Sequence, residues 1–364
     1  MPPQQTKRAT KNRHIPMDTV EEILLNLSVK SLLRFSSVSK SWNSMIFEPR
    51  FIKKYHGRER FIVLNPFSYD NIINFRSCPL STVFSDNPIE ENLIDFTEKP
   101  THIRAFCNEL WCAENTEYSS LFLLNPSMRT CRKLPAPKFP PLGRNQSFVY
   151  GLGYDSAGDD YKILKILYCS KGELETELYS LRSDSWRKIL AFPTMKISCL
   201  SFCSFVNGAL HWLCHWPESS YAVVSFDLST EEYGEVELPE HSPTINLLDD
   251  KVNVAVSSGK FCFCLSYRST RNFVLWVMEE YGVVESWTKK FNIDCDIIPG
   301  LGNNFRWKPL HFCENGQILM VAFMYFEKNG VIFMYGDDKT LLRKDFGRSK
   351  ISECLVYVDS LVSP

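Results

Sequence analysis

Five stretches of the chain repeat one plan: LFLLNPSMRTCRKL (121–134), ELYSLRSDSWRKI (177–189), VVSFDLSTEEYGEVEL (223–238), LWVMEEYGVVESWTKKF (275–291) and FMYGDDKTLLRKDF (333–346). Each is an apolar strand, a polar turn, and a second strand with an apolar or aromatic residue ahead of a basic or polar edge. Cys131, Trp186, Tyr233, Trp287 and Leu342 mark equivalent places, at spacings of 55, 47, 54 and 55 residues. A repeat of that length restricts the chain to units that each form a few strands and then pack against copies of themselves.

A second element precedes most copies: NELWCAE (108–114), NGALHWL (207–213), SGKFCFCL (258–265) and NGQILMVA (315–322), each a turn leading into an alternating strand. Together these give about four strands per unit, the signature of a kelch-like β-propeller. We expect an irregular propeller of about six blades. Residues 351–362 (ISECLVYVDSLV) would supply a strand that closes the ring near the first blade, around Phe61 to Leu64, which removes long exposed sheet edges. A β-sandwich with chance similarity between hairpins is the competing architecture.

The first sixty residues follow a different period. Asp18 followed by Glu21 reads as a capping-box start, and Val20, Ile23, Leu24 and Leu27 form one helical stripe. Ser28 and Ser31 offer the next stop and start, ahead of Leu32, Leu33, Phe35 and Val38; a third short helix after Ser39 carries Trp42, Met45 and Ile46. Three helices of two or three turns are marginal alone, so the small all-α head needs something to cover its apolar surface: the β body or another protein. The expected organisation is a disordered basic tail (1–14), the helical head (15–56) and an all-β domain (57–364).

Charge is uneven. Residues 1–60 hold 12 Lys or Arg against 5 Asp or Glu, and residues 61–364 hold 29 against 37, which leaves the whole chain at −1. The basic residues of the head are scattered through an amphipathic pattern without interleaved aromatics, which disfavours nucleic acid. Thirteen Cys, the absence of an apolar leader and the lack of a long apolar stretch point to a reduced chain of the cytoplasm or nucleus, with no membrane partner and unused glycosylation patterns at Asn26 and Asn145.

The stretch IPMDTVEEILLNLSVKSLLRFSSVSKSW (15–42) resembles an F-box: Ile15-Pro16, Ile23-Leu24, Leu27, Lys30 to Leu33, Val38 to Lys40 and Trp42 match that family's pattern by position. The resemblance implies binding to a Skp-type adaptor, and through it membership of a cullin-RING ubiquitin ligase. It places Ile15, Pro16, Leu24, Leu27, Leu32, Leu33 and Val38 at the adaptor interface, with Trp42 in internal packing. Ser28 stands where Pro is usual and can cap the following turn, and Ser36-Ser37 replaces a basic residue and Cys. GLGYDSAGDDYKILKI (151–166), NGALHWL, FDLSTEEYGEVELP (226–239), LWVMEEYGVVESWTKKF and Asn125-Pro126-Ser127 resemble, in order, the plant F-box-associated domain.

Other chemistry is weakly signposted. Gly151-Leu152-Gly153 lacks the third Gly and the helix of a dinucleotide fingerprint and reads as a turn, with Tyr161 to Tyr168 as a strand. Cys199, Cys203, His211, Cys214 and His215 offer soft ligands within seventeen residues, but free Cys in apolar strands behaves as a small hydrophobe. Cys262 and Cys264 on one strand face read the same way. Asp159-Asp160, Asp249-Asp250 and Asp337-Asp338 read as solvated turn acids. No nucleophile elbow, zinc helix or phosphate loop occurs, so neither metal nor cofactor is expected.

These readings converge on a non-catalytic substrate-recognition subunit of an SCF-type ubiquitin ligase. A protein substrate would be selected by propeller loops within 66–100, 136–148, 215–222 and 292–306, with Trp216, Tyr221, Phe305 and Trp307 as candidate anchors. A binding scaffold without ubiquitination, and a propeller enzyme built like galactose oxidase, are the alternatives.

Overall fold

The computed structural model describes residues 15–364 except 65–73, 86–89, 94–99, 108, 117–119, 138–145, 170–174, 194–195, 198–202, 216–220, 240–250, 268, 296–304, 314, 325–329, 337–340 and 346–352. The tail expected at 1–14 lies outside the described residues.

The head has four helices, one more than the pattern suggested: α1 (Met17–Leu25), α2 (Val29–Ser36), α3 (Lys40–Ile46) and α4 (Pro49–Lys54). The extra helix starts at Pro49, whose fixed φ suits a first helical position. Ser28 and Ser39 cap α2 and α3, accepting from the amides of Ser31 at 3.3 Å and Trp42 at 3.1 Å. The capping box expected at Asp18 does not form. Pro16 occupies the N-cap, Asp18 sits in the first turn, and Glu21 pairs with Lys54 at 2.9 Å.

Six antiparallel sheets follow as blades. Blade 2 comprises β4 (His102–Cys107), β5 (Leu110–Asn115), β6 (Ser120–Asn125) and β7 (Thr130–Lys133); blade 3 comprises β8 (Gln146–Asp155), β9 (Asp160–Cys169), β10 (Glu175–Ser180) and β11 (Ser185–Lys188). Blade 4 has a split inner strand, β12 (Lys196–Ile197) and β13 (Ser204–Val206), then β14 (Ala209–His215), β15 (Tyr221–Asp227) and β16 (Tyr233–Val236). Blade 5 holds β17 (Lys251–Ser257), β18 (Lys260–Tyr267), β19 (Asn272–Met278) and β20 (Trp287–Asp294). Blade 6 holds β21 (Phe305–Phe312), β22 (Ile318–Met324), β23 (Gly330–Tyr335) and β24 (Leu341–Asp345).

Blade 1 takes β1 (Glu59–Leu64), β2 (Asn74–Pro79) and β3 (Glu90–Leu93) from the start of the β domain and β25 (Glu353–Val358) from its end. β25 pairs antiparallel with β1, from Glu59 opposite Val358 to Leu64 opposite Glu353. The expected ring closure is therefore present. Two of its strands, β2 and β3, fall inside 66–100, the first of the long polar segments from which the sequence expects recognition loops.

The repeat markers all lie on the fourth strand of a blade, and the aromatic ones stitch neighbours together. Trp186 Nε1 donates to the Pro135 carbonyl at 2.8 Å and Trp287 Nε1 to the Glu237 carbonyl at 2.9 Å, each just past the last strand of the preceding blade. An indole suits this place because its body is apolar and its N–H still finds an acceptor. Asn207-Gly208 and Ser258-Gly259 make the two-residue turns read from sequence, with φ of 51° and 76°, and 48° and 73°.

Gly151 and Gly153 are not in a turn. They lie in β8, where an added Cβ would come 2.8 Å from the Trp212 ring and 2.5 Å from Leu228, so these glycines let blade 4 press against the innermost strand of blade 3. Asp160 is also no solvated acid. It is buried, and it accepts from Ser180 Oγ at 2.5 Å and the Arg182 amide at 2.8 Å; Asp159 is exposed, as expected. Positions 249–250 and 337–338 lie outside the described residues.

After β25 the chain runs into the head. Leu361 is 1% exposed in a core with Val20, Leu24, Val29, Leu32, Ile46, Phe51 and Tyr55, and Met128 from the β6–β7 turn packs against it. Asn125, wholly buried, holds this tail: its Nδ2 donates to the carbonyls of Ser360 (3.3 Å) and Val362 (2.8 Å), and its Oδ1 accepts from the Ser127 and Met128 amides. Ser127 and Tyr357 both donate to Asp359 Oδ1 at 2.9 Å. The Asn125-Pro126-Ser127 motif is thus the clasp between ring, tail and head.

Asn125→Ala strands the buried carbonyls that Asn125 satisfies. It is expected to lower stability by about 1–3 kcal/mol per lost buried partner and to raise amide exchange in α1 and α4 before exchange in blades 4 and 5, as read by hydrogen-exchange mass spectrometry.

Candidate functional site

Two surfaces can meet partners: the outer side of the head, and the face of the ring turned away from the head. The seven residues expected at the adaptor interface divide by burial. Ile15 and Val38 are 55% and 64% exposed and Pro16 is exposed; Leu27 and Leu33 are half-buried against the head core. Leu24 and Leu32, at 1% and 0%, are inside it. These two are a correction to what the resemblance implies: they shape the head without reaching its surface, because both pack into the core that Phe51 of α4 and Leu361 complete. Trp42 packs edge-on to Phe35 at 5.5 Å, as internal packing requires.

Met17, Ile23 and Phe47, at 39%, 52% and 37% exposure, belong with the surface set and were not singled out as contacts. Ile23 was hidden in the stripe, although it lies 100° around the helix from Leu24. Phe47 follows the last turn of α3 and has no periodic signal. Five exposed apolar side chains thus project from a head whose own core is closed. Isolated exposed apolar groups are ordinary, but here five fall within residues 15–47.

The four proposed substrate anchors fare unequally. Trp307 is 3% exposed between blades 5 and 6, with its ring 5.2 Å from Phe273 and 5.4 Å from Phe333, and is blade core; this too is a correction. Tyr221 is half-buried at the start of β15. Phe305 opens β21 with its side chain outside the described residues, as is all of Trp216.

Of the soft-ligand cluster, Cys199 and the His215 side chain lie outside the described residues, and Cys203, His211 and Cys214 are buried in or beside β13 and β14. His211 Nδ1 lies 3.1 Å from the Ser204 carbonyl, which can only accept, so Nδ1 carries the proton and Nε2 accepts from Tyr281 Oη at 2.7 Å. Both ring nitrogens are committed, and burial pushes the imidazole down to about 4. Among the described residues no group of three His, Cys, Asp or Glu side chains is gathered as a metal would require, and no helix is long and apolar enough to cross a membrane.

Charged side chains are buried between blades 2 and 3, as they are at Lys162–Asp155 and Lys308–Glu353 elsewhere in the ring. Arg104 donates through Nε and Nη2 to Glu114 Oε2, both at 2.7 Å, and Tyr150 Oη donates to Glu114 Oε1 at 3.0 Å. The Lys165 ammonium sits 3.6 Å from the centre of the Phe148 ring, and burial pulls it down to about 8. Blades 5 and 6 meet through a large apolar set that includes Phe273, Ile293, Ile318 and Phe333, with Asn253 and Ser258 of blade 5 hydrogen-bonded to blade 6 at Trp307 and Phe312.

The sequence profile of the F-box associated beta propeller domain matches residues 60–364, and that of the F-box domain matches residues 13–54. The chain belongs to the F-box-associated β-propeller family. It is 27% identical to an F-box/kelch-repeat protein of Arabidopsis thaliana over 99% of this chain and 98% of the relative. It is 30% identical to F-box protein CPR1 of Arabidopsis thaliana over 77% of this chain and 73% of that one. Among solved structures, a fucose-specific lectin from Aleuria aurantia aligns with a TM-score of 0.48 at 13% identity, over 79% of this chain and 91% of the lectin. The family architecture of an F-box followed by a six-bladed propeller accounts for every sheet described above.

Leu32→Ala is expected to destabilise the head by about 2–5 kcal/mol, the usual loss for a fully buried Leu, whereas Val38→Ala should stay within about 0.5 kcal/mol; chemical denaturation followed at the head resolves the two. His211 gives a pH signature. Its folded value of about 4 lies below the unfolded 6.5, so the unfolded chain binds the extra proton. Stability is full above pH 6.5 and falls as pH drops towards 4, by about 3 kcal/mol at 1.36 kcal/mol per unit. Denaturation midpoints across pH 4–7 should show the slope, and His211→Gln should flatten it.

Proposed function

We propose that this chain is the substrate-receptor subunit of an SCF-type cullin-RING ubiquitin ligase, acting in the cytoplasm or nucleus. In this reading the head binds a Skp-type adaptor, and the propeller holds a protein for ubiquitination without making or breaking bonds itself. The observation that carries the proposal is the contrast within the head: its interior is completed by the chain's own Leu361, yet Ile15, Met17, Ile23, Val38 and Phe47 remain uncovered. An intramolecular cap would have covered them; a second protein is what they fit. Ser28 supports the same reading: its φ of −70° lies within the range proline fixes, and its hydroxyl caps α2 in a way proline could not.

Co-purification with a Skp-type adaptor tests the proposal. The double variant Ile15→Asp, Val38→Asp places charge on the exposed set without touching the core. It is expected to weaken adaptor binding at least tenfold, about 1.4 kcal/mol or more, with an unchanged unfolding midpoint. Failure of the wild-type chain to bind the adaptor, or full binding by the double variant, would remove the ligase reading.

A further inference from the structure

The head fixes which face of the ring is free. Among the described residues its contacts with the propeller include Met128 in the β6–β7 turn, Leu361 after β25, and Lys53 paired with Asp159 in the β8–β9 turn at 3.1 Å. In antiparallel blades these positions share one face. The opposite face receives the starts of β4 and β8 and the ends of β5 and β9. The charged cluster between blades 2 and 3 lies towards that end: Phe148 is seven residues from Asp155 along β8, about 23 Å at the usual rise.

One residue of the cluster is set apart by the backbone. β4 and β5 pair in register at Ile103 opposite Ala113 and again at Ala105 opposite Cys112, so Arg104 is the unpaired residue of a β-bulge in the innermost strand of blade 2. A bulge breaks the alternation of the strand and re-aims one side chain. Here it turns Arg104 onto Glu114, 8% exposed, which Tyr150 holds from the other side. The Arg104 side chain itself remains 32% exposed. Among the described residues Glu114 is the one acceptor Arg104 meets, through Nε and Nη2, so Nη1 has no acceptor. The buried charges beside Arg104 are Glu114, which holds its guanidinium, and Lys165, whose ammonium lies 5.8 Å from the Tyr150 ring that Arg104 approaches at 5.9 Å and which faces the buried Glu177 carboxylate across β9 and β10.

We propose that Arg104 is a substrate-anchoring residue: held in place by Glu114 and Tyr150 at the mouth of the blade 2–3 junction, it binds a carboxylate side chain of an acidic segment of the protein substrate. A guanidinium locked by a buried carboxylate loses little freedom on binding, and its remaining donors suit a planar anion. The proposal rests on the receptor reading only in naming the carboxylate's bearer as the substrate.

The test uses the full chain and three peptides: acetyl-Gly-Gly-Glu-Glu-Gly-Gly-amide, its Gln-Gln counterpart, and its bis-phosphoserine counterpart, each followed by NMR titration at low salt. The Glu-Glu peptide is expected to bind the wild type, the Gln-Gln peptide at least tenfold more weakly, and Arg104→Gln to weaken Glu-Glu binding at least tenfold. Arg104→Lys keeps the charge and should still lose severalfold, because it lacks the fork; it serves if Arg104→Gln fails to fold. Equal binding by the wild type and Arg104→Lys, equal binding of the Glu-Glu and Gln-Gln peptides, or no binding of the Glu-Glu peptide would overturn the proposal. Tenfold tighter binding of the phosphoserine peptide would overturn the assignment to a carboxylate. No adaptor enters the assay, so a failed adaptor co-purification leaves this result standing, and the reverse also holds.

Discussion

The pairing of β25 with β1 is the contact on which the rest of the molecule depends. Without it blade 1 is an open sheet of three strands, blade 6 loses its neighbour, and the chain beyond Val358 has nothing to aim it at the head. The entropy of closing so long a loop grows only logarithmically, by about 0.6 kcal/mol per doubling of length, so ring closure is affordable thermodynamically. Its burden is kinetic, since contacts between residues this far apart in sequence form slowly. The fold answers with local strength, each of blades 2 to 6 being assembled from consecutive hairpins whose turns are set by residues such as Asn207-Gly208 and Ser258-Gly259.

Legibility followed from period. The blades could be read because Cys131, Trp186, Tyr233, Trp287 and Leu342 recur on the fourth strand, and Trp186 and Trp287 recur for a physical reason, their N–H groups bridging to the blade before. The closing strand was readable because a ring of such units needs one. The head could be read as helical, yet its inside and outside could not be sorted, because a stripe of Ile and Leu looks the same whether it meets Leu361 or a second protein.

What sequence could not supply came from contacts between distant segments. Gly151 and Gly153 look like turn residues until Trp212 and Leu228 are placed against them. Asn125 looks like a turn former, and it is one, but its amide also reaches across the domain to residues 360 and 362. Arg104 carries no motif at all; its distinction is a slip in register between two strands. Trp307 erred the other way, an aromatic in a polar neighbourhood that proves to be stacked inside a blade interface.

The seat of Leu361 in the head core orders events during synthesis. The head emerges first from the ribosome, but one of its core residues is made only after all six blades. Until then the head has a vacancy where Leu361 belongs, and its helices are of a length that is marginal on its own. A ring that fails to close never delivers that residue. Completion of the head's core is therefore coupled to closure of the ring.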